Sequence, residues 1–408
     1  MSRSAIIVGG GPAGALLAYI LASRDIPVTL IERQSDFARE FRGEGLSPGG
    51  QRMFREAGLW EAFEGLPHST FTCFELFFKR LRFARVHFGK QPDFMPQWVS
   101  QPAMLEMLVE QASAFPNFTF RRGVRVTRPI ERDGRVAGVA LSGHDDGERL
   151  EADYVFACDG RFSALRKAAG LDQPRNPEFF DVVWCKIPLP GIYGNQAPYP
   201  RGYLGNGHLG LFFPSYDGTL QVGWIIEKGS YKEFQAMGID GWLEEVADHV
   251  SDDLAAHIRK HKGDSIHPFL LDVICDCYDR WSVPGMTLLG DAAHPMSPVG
   301  AQGINIALRD AVVAANHFVP GLLGNGDPAR LDAAAEAFHA ERLKEVAPIQ
   351  AMQRRAPRVL FGNALLLNTA AWILRGIFAS GIAQWFIDRA DLRRNPFLYG
   401  VTDVKLKV

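Results

Sequence analysis

The sequence predicts a mixed α/β protein in which a parallel-sheet nucleotide domain is interleaved with a mostly antiparallel sheet domain and followed by C-terminal helices. Three observations carry this: a strand, glycine loop and helix at the amino terminus; two later strands of the same kind, ending in Asp-Gly and Gly-Asp; and long aromatic, alternating stretches between them.

The run Ala5-Ile6-Ile7-Val8 has the character of a buried parallel strand, and it leads directly into Gly9-Gly10-Gly11-Pro12-Ala13-Gly14 and the helical stretch 15–21. Gly9 permits the tight turn, Gly11 lets the backbone approach a pyrophosphate, and Gly14 lets the helix pack closely on the strand. The helix N-terminus adds free N–H groups and a positive dipole end. A second strand, Val28 to Ile31, ends in Glu32, 18 residues beyond Gly14, where a carboxylate accepts hydrogen bonds from ribose hydroxyls. Together these form a Rossmann-like dinucleotide grip. The bare glycine string recurs at Gly205-Asn206-Gly207-His208-Leu209-Gly210, with Glu227 downstream. There the following residues, 211–218, read as strand and turn, and Pro214 stands where a crossover helix would have to run. One nucleotide is therefore expected in a dedicated fold, and any second one only as a visitor.

Further along, Gln101 to Ala114 has helical spacing, and Phe118 to Leu141 alternates like antiparallel strands around Asp133-Gly134. Tyr154 to Cys158 is a buried-type strand ending in Asp159-Gly160, and Met286 to Leu289 is another, ending in Gly290-Asp291. The predicted division is 1–70, 101–175 and 281–330 for the nucleotide domain, 71–100 and 176–280 for the aromatic-rich sheet domain, which would bind substrate, and 331–408 for a helical region.

The 408 residues are 47% hydrophobic and 22% charged, with a formal net charge of −2, so no global field attracts nucleic acid or an anionic membrane. Five scattered cysteines, an odd number, argue for reduced thiols and a cytoplasmic setting. Cys275-Asp276-Cys277 lacks the spacing of a redox C-x-x-C; a metal or redox pair is one reading, and two alternating strand residues the better one. No metal site is expected. The first strand begins within five residues of Met1, which leaves no room for a signal peptide. The apolar stretch Ala364 to Ile387 is interrupted by Asn368, Arg375, Gly376, Gly381 and Gln384. It reads as a helix pair packed on the protein, with interfacial membrane contact as the alternative and a full span disfavoured.

Two further motifs complete the chemistry. In Asp159-Gly160-Arg161-Phe162-Ser163-Ala164-Leu165-Arg166 a strand-end carboxylate turns toward a helix, where the default role of Asp159 is an N-cap. In Gly290-Asp291-Ala292-Ala293-His294-Pro295 and Pro298 to Asn305, opening into a helix from near Ile306 to His317, a carboxylate can meet ribityl hydroxyls. The glycine loop there can offer N–H groups to the N1–C2=O edge of a flavin.

In this order and spacing the three motifs resemble the single-component FAD-dependent aromatic hydroxylases, the para-hydroxybenzoate hydroxylase-like flavoprotein monooxygenases, over essentially the whole chain. The resemblance implies FAD contacts at Gly9, Gly11, Ala13, Gly14, Glu32, Arg33, Arg42, Gln101, Asp291, Pro298, Gly300, Gln302, Gly303, Ile304 and Asn305. Val126 would pass the adenine, and Asp159 would serve both FAD and NAD(P)H. Many members have arginine where this chain has Gln101. The extra thioredoxin-like domain of larger phenol hydroxylases and the Trp-x-Trp-x-Ile-Pro signature of flavin halogenases are both absent, and Lys79 reads as part of a solvated basic strand face. By the same resemblance, NAD(P)H is a transient co-substrate, O2 reacts to give a C4a-hydroperoxyflavin, and an aromatic or quinone-like small molecule is hydroxylated or epoxidised. Pocket candidates in the sheet domain are Tyr203, His208, Phe212, Phe213 and Trp224; the chain would be a monomer or homodimer. The rival readings are a halogenase or polyprenyl reductase on the same fold, or a non-catalytic FAD-binding redox sensor.

Overall fold

The Ala5–Val8 strand lies inside a six-stranded sheet of order 282–283, 286–288, 154–157, 5–8, 28–32 and 118–122. All pairings are parallel except that of the outermost two strands, and Ala5 stands opposite Tyr154 on one side and Val28 on the other. The computed structural model describes residues 3–38, 44–88, 95–142, 147–174, 178–193, 197–205, 208–324, 327–360, 364–390 and 394–408. Every residue of the 5–8 and 154–157 strands is buried, because the Pro12–Ala22 and Gln302–Leu323 helices and their neighbours close one core around them. A parallel sheet covered on both faces demands such continuous apolar runs rather than alternation.

The segments 73–87 and 180–271 supply a seven-stranded sheet of order 269–271, 180–188, 219–227, 208–214, 201–205, 73–78 and 81–87. It is antiparallel apart from the 201–205/73–78 pair. Because side chains alternate across a strand, its two faces bury different sets. One face, with Val183, Phe212, Val222 and Trp224, is roofed by the Tyr231–His249 and Asp252–Lys260 helices. The other, with Val182, Trp184, Leu209 and Ile225, packs with Phe213 and Val299 toward the nucleotide domain.

Several expectations need correction. Phe118–Arg122 is a strand of the parallel sheet, paired with Val28–Glu32; only 126–132 and 135–141 form the hairpin around Asp133-Gly134, whose φ values of 53° and 73° suit that tight turn. Residues 231–260, within the stretch read as sheet-rich, are helical. Cys275 and Cys277 sit in irregular chain, not on a strand, as free thiols that burial pushes up to about 11. Lys79 occupies a turn at φ 54°, ahead of the basic strand. The second glycine string joins the antiparallel strands Arg201–Gly205 and His208–Pro214, as Pro214 foretold; residues 206 and 207 lie outside the described residues.

The apolar tail forms the helices Ala364–Ala379 and Ile382–Arg389, which meet at 73°. They lie beside the Leu81–His87 strand, where the His87 N–H donates to Gln384 Oε1 at 3.1 Å. Only one side packs: Trp372 and Phe386 are each 63% exposed and Trp385 50%. Consecutive apolar residues such as Trp372-Ile373-Leu374 point about 100° apart around a helix, so a single supporting strand cannot cover them all.

Candidate active site

Four predicted groups stand at the carboxyl ends of adjacent parallel strands: Gly9 after Val8, Glu32 closing its own strand, Asp159 after Ala157, and Asp291 after Leu288. Such strand ends form the ligand-binding edge of an open α/β sheet. Gly9 has φ +107°, and a Cβ there would run into the Cys158 carbonyl oxygen; a Cβ on Gly14 would run into that of Gly9. At Gly11 a Cβ would meet nothing within 4 Å. The protein's own packing thus requires two of the three glycines, and the third is open on the side a pyrophosphate would take. The helix begins with Gly11 as N-cap and Pro12 next, with no capping side chain, so the first-turn N–H groups of Ala13 and Gly14 have no intrahelical partner.

Glu32 is buried, and its carboxylate accepts from the N–H groups of Gly10 at 2.8 Å and Gln34 at 2.9 Å. It thereby shapes the glycine loop from the end of its strand. Arg33 beside it is exposed, and Val124 donates to the Glu32 carbonyl at 3.0 Å, which brings the buried Val126 alongside. Gln101 opens the Gln101–Ser113 helix, capped by Ser100. Asp159 is not the N-cap: Ser163 holds that position, its Oγ accepting from Arg166 N–H at 2.9 Å, while Asp159 Oδ2 accepts from Ala164 N–H at 2.8 Å and Leu165 N–H at 3.2 Å in the same first turn, and burial holds its carboxyl above the usual range. Arg166, fully buried, donates to the Ala292 carbonyl at 2.8 Å and ties the second motif to the third.

The last motif differs from its sequence reading. Its helix starts at Gln302 rather than near Ile306, because Ala301 at φ 53° reverses the chain one residue earlier. Asn305 therefore lies in the first turns. It accepts from Ser47 N–H at 2.9 Å and Ser47 Oγ at 3.0 Å, and donates to the carbonyls of Gly45 at 3.1 Å and Ala301 at 2.7 Å. Gln302 donates to the carbonyls of Gly300 at 2.7 Å and Phe397 at 3.0 Å, and Ile304 is buried. These side chains brace the loop; a Cβ on Gly303 would meet nothing within 4 Å, whereas Gly300, at φ +73°, is covered by the Phe397 ring, 2.8 Å from where a Cβ would stand. Behind it, the Gly290 N–H donates to Asp310 at 2.9 Å, and Asp310 also faces His294 Nε2 at 2.8 Å and Arg342 Nε at 2.6 Å. Burial works against the Asp310 charge, but the pairing with His294 and Arg342 outweighs it and holds the carboxyl below its usual range.

Of the five pocket candidates, only Phe213 faces the 298–303 loop. Tyr203, Phe212 and Trp224 are core on the opposite face, with the Tyr203 hydroxyl 2.7 Å from Ser251 Oγ, and His208 lies there too, against Trp224 and His249. Periodicity placed neighbours on opposite faces without saying which face was which. On the right face the sequence reading missed Trp98, stacked on Phe213 at 4.2 Å, together with Trp184 and Gln221. It also missed Glu44. This buried carboxyl accepts from Gln221 Nε2 at 2.5 Å and the Tyr216 hydroxyl at 3.4 Å, and Gln221 Oε1 accepts from Trp98 Nε1 at 2.6 Å. Burial raises Glu44 to about 7 against its hydrogen bonds to Gln221 and Tyr216 and the pull of Lys186. The neighbouring Gly45 is so close to Trp98 and Ala301 that a Cβ would fall 2.7 Å and 2.9 Å from them. Glu44 is thus seated where the loop meets the aromatic face; its only sequence signal was an acid within Arg42-Gly43-Glu44-Gly45. Arg42 itself lies outside the described residues, and no cluster of metal-ligating side chains occurs among the described ones.

A family model described as an FAD binding domain matches residues 3–347. The chain is 32% identical over 359 residues to 6-methylpretetramide 4-monooxygenase of Streptomyces rimosus, covering 86% of this chain and 83% of that one. It is 30% identical over 343 residues to 3-amino-4-hydroxybenzoate 2-monooxygenase PtnB3 of Streptomyces platensis, covering 79% of each. Among solved structures it is similar to p-nitrophenol 4-monooxygenase PnpA from Pseudomonas putida DLL-E4, with a TM-score of 0.78, 17% identity, and coverage of 98% of this chain and 100% of that one, a likeness that bears on fold alone. With a glycine edge open to a pyrophosphate and a loop backbone open to a flavin, the chain belongs to the FAD binding domain family and is an FAD-dependent monooxygenase.

Proposed function

We propose that this enzyme hydroxylates an aromatic or quinone-like small molecule, with electrons from NAD(P)H and oxygen from O2. The observation that carries the proposal is the apposition of the 298–303 loop, open at Gly303, to the Trp98–Phe213 stack, with Val299 packed beside Phe213 and Ala301 beside Trp98 at Gly45, so that an aromatic ring held at the loop would lie beside aromatic side chains. Bound FAD supplies the electron relay and the activation of oxygen.

The chain's own residues divide the remaining work. Gly9, Gly11, Ala13, Gly14 and Glu32 hold the adenosine and pyrophosphate half, assisted by Arg33, Gln101 and Val126. Asp291 and the 298–303 backbone hold the ribityl chain and ring. The segments 1–70, 101–175 and 281–330 serve as the FAD domain, with 71–100 and 176–280 as the substrate domain. Trp98, Trp184 and Phe213 exclude water from the reacting face. Glu44, poised near neutral pH, accepts the proton of a phenolic hydroxyl, which raises electron density on the ring carbon that takes oxygen; Tyr216, half-buried, offers the route outward.

The test is anaerobic stopped-flow of the FAD-loaded enzyme with NADH or NADPH, alone and with a panel starting from aminohydroxybenzoates and polycyclic phenols. Substrate consumption and peroxide are measured alongside in air. A panel member that accelerates flavin reduction and is converted without peroxide release supports the proposal. A product formed only with halide moves the enzyme to the halogenases, and flavin that neither nucleotide reduces leaves a sensor or an enzyme fed by a separate reductase.

A further inference from the structure

We propose that the bent helix pair at 364–389 seats the enzyme on an anionic lipid surface, lying in the interface without crossing it. The exposed side chains are those suited to the headgroup boundary: Trp372, Ile373, Ile382, Trp385 and Phe386 are each at least half exposed. Neither helix can span. Ala364–Ala379, at about 1.5 Å per residue, is roughly 24 Å long against a hydrocarbon core of about 30 Å, carries Arg375 in its second half, and turns by 73° into its partner. The longer apolar helix, Gln302–Leu323, is mostly buried and belongs to the core.

Charge selects the occupant. The Arg375 guanidinium sits over the Trp372 ring, 5.3 Å from its centre, and that of Arg389 over the Trp385 ring at 3.9 Å, so each exposed indole carries a cation on its face. On the supporting side Arg82 is paired with the buried Glu75 and Arg80 with Asp252, so the cations of the helix pair itself, Arg375 and Arg389, carry the charge, with Lys79 in the turn before the strand and Asp388 as the acid within the described part of the pair. These cations rim an apolar patch on a chain whose net charge is −2. A two-fold contact between two copies would set the same rim against itself, while anionic headgroups complement it.

The FAD-loaded full chain is sedimented with extruded vesicles of phosphatidylcholine alone and of phosphatidylcholine with 30% phosphatidylglycerol, and its solution mass is measured by light scattering. The expected result is sedimentation with the anionic vesicles, at least tenfold weaker with neutral ones and weakened by salt. Arg375→Gln with Arg389→Gln should reduce anionic binding roughly 10- to 25-fold, at about fivefold per charge. Trp372→Ser with Phe386→Ser should abolish it while the flavin spectrum and FAD content stay unchanged, which separates this proposal from the reading of the active site. Failure of the wild-type enzyme to sediment with anionic vesicles overturns the proposal. So does a wild-type dimer that the Trp372→Ser, Phe386→Ser pair converts to monomer, since a second copy then covers the face.

Discussion

The chain carries the same glycine spacing twice, at 9–14 and at 205–210, and the two copies do opposite things. In the first, Pro12 stands at the first helical position and no proline follows it within the helix, so the chain winds into the Pro12–Ala22 helix and the loop closes over the ends of parallel strands with Gly11 open to a ligand. In the second, the string joins two antiparallel strands, and Gly210 is enclosed: a Cβ there would lie 2.7 Å from Trp224. The acid downstream differs likewise. Glu32 is buried and bonded to the Gly10 N–H, whereas Glu227 is exposed at a strand end. A glycine pattern therefore acquires meaning from what its glycines touch.

The comparison breaks most sharply at Gly11. Gly11→Val should leave the apoprotein's melting temperature unchanged and eliminate bound flavin, read as absorbance near 450 nm per folded chain; a Gly11→Val variant that keeps its colour would remove the grip assigned here.

The next largest effect concerns the second buried glutamate. Glu44 is raised from 4.5 to about 7, so between those values the folded chain holds a proton the unfolded chain has lost. Stability therefore falls as pH rises through that window, and the full penalty applies above pH 7. Glu44→Gln, neutral throughout, should match the wild type near pH 4.5 and exceed it at pH 8 by up to about 3 kcal/mol in urea melts. Parallel stability–pH curves for the two proteins would contradict the raised carboxyl.

Glu32→Ala should weaken FAD by roughly 10- to 150-fold, about 1.5–3 kcal/mol, through lost bonds to the glycine loop and ribose; fluorescence titration of the apoprotein measures it. Gly210→Val should do the converse, costing about 1–3 kcal/mol of stability by overpacking against Trp224 and leaving flavin per folded chain unchanged. At the small end, Glu227→Ala should shift neither stability nor FAD affinity by more than about 0.5 kcal/mol. A Glu227 effect as large as that of Glu32 would mean the second string also serves a nucleotide.

The nucleotide grip was legible in sequence because its constraints are local. A four-residue apolar strand, a proline at the first helical position and a Gly14 packed on the Gly9 carbonyl leave few conformations open, although Gly9 itself is also set by Cys158, remote in sequence. The same holds for the Asp133-Gly134 hairpin and for the turn in which Asp159 bonds the first helical N–H groups, where each partner is at most six residues distant, though Ser163 and not Asp159 is the cap. The start of the Gln302–Leu323 helix was misread because its first turn is bonded to Ser47, Gly45 and Phe397, partners remote in sequence.

What the sequence by itself determined is the cofactor edge, since a motif that must place backbone N–H groups at strand ends fits within thirty contiguous residues. Tertiary structure alone decided which side of the aromatic sheet meets that edge. Alternation with a period of two says that Phe212 and Phe213 point apart, and only the packing of the Tyr231–His249 and Asp252–Lys260 helices on one face tells which of them reaches the 298–303 loop. It likewise joined Glu44 to Gln221 across 177 residues, a contact that no local pattern encodes because its strength comes from a burial that exists only once both domains have folded.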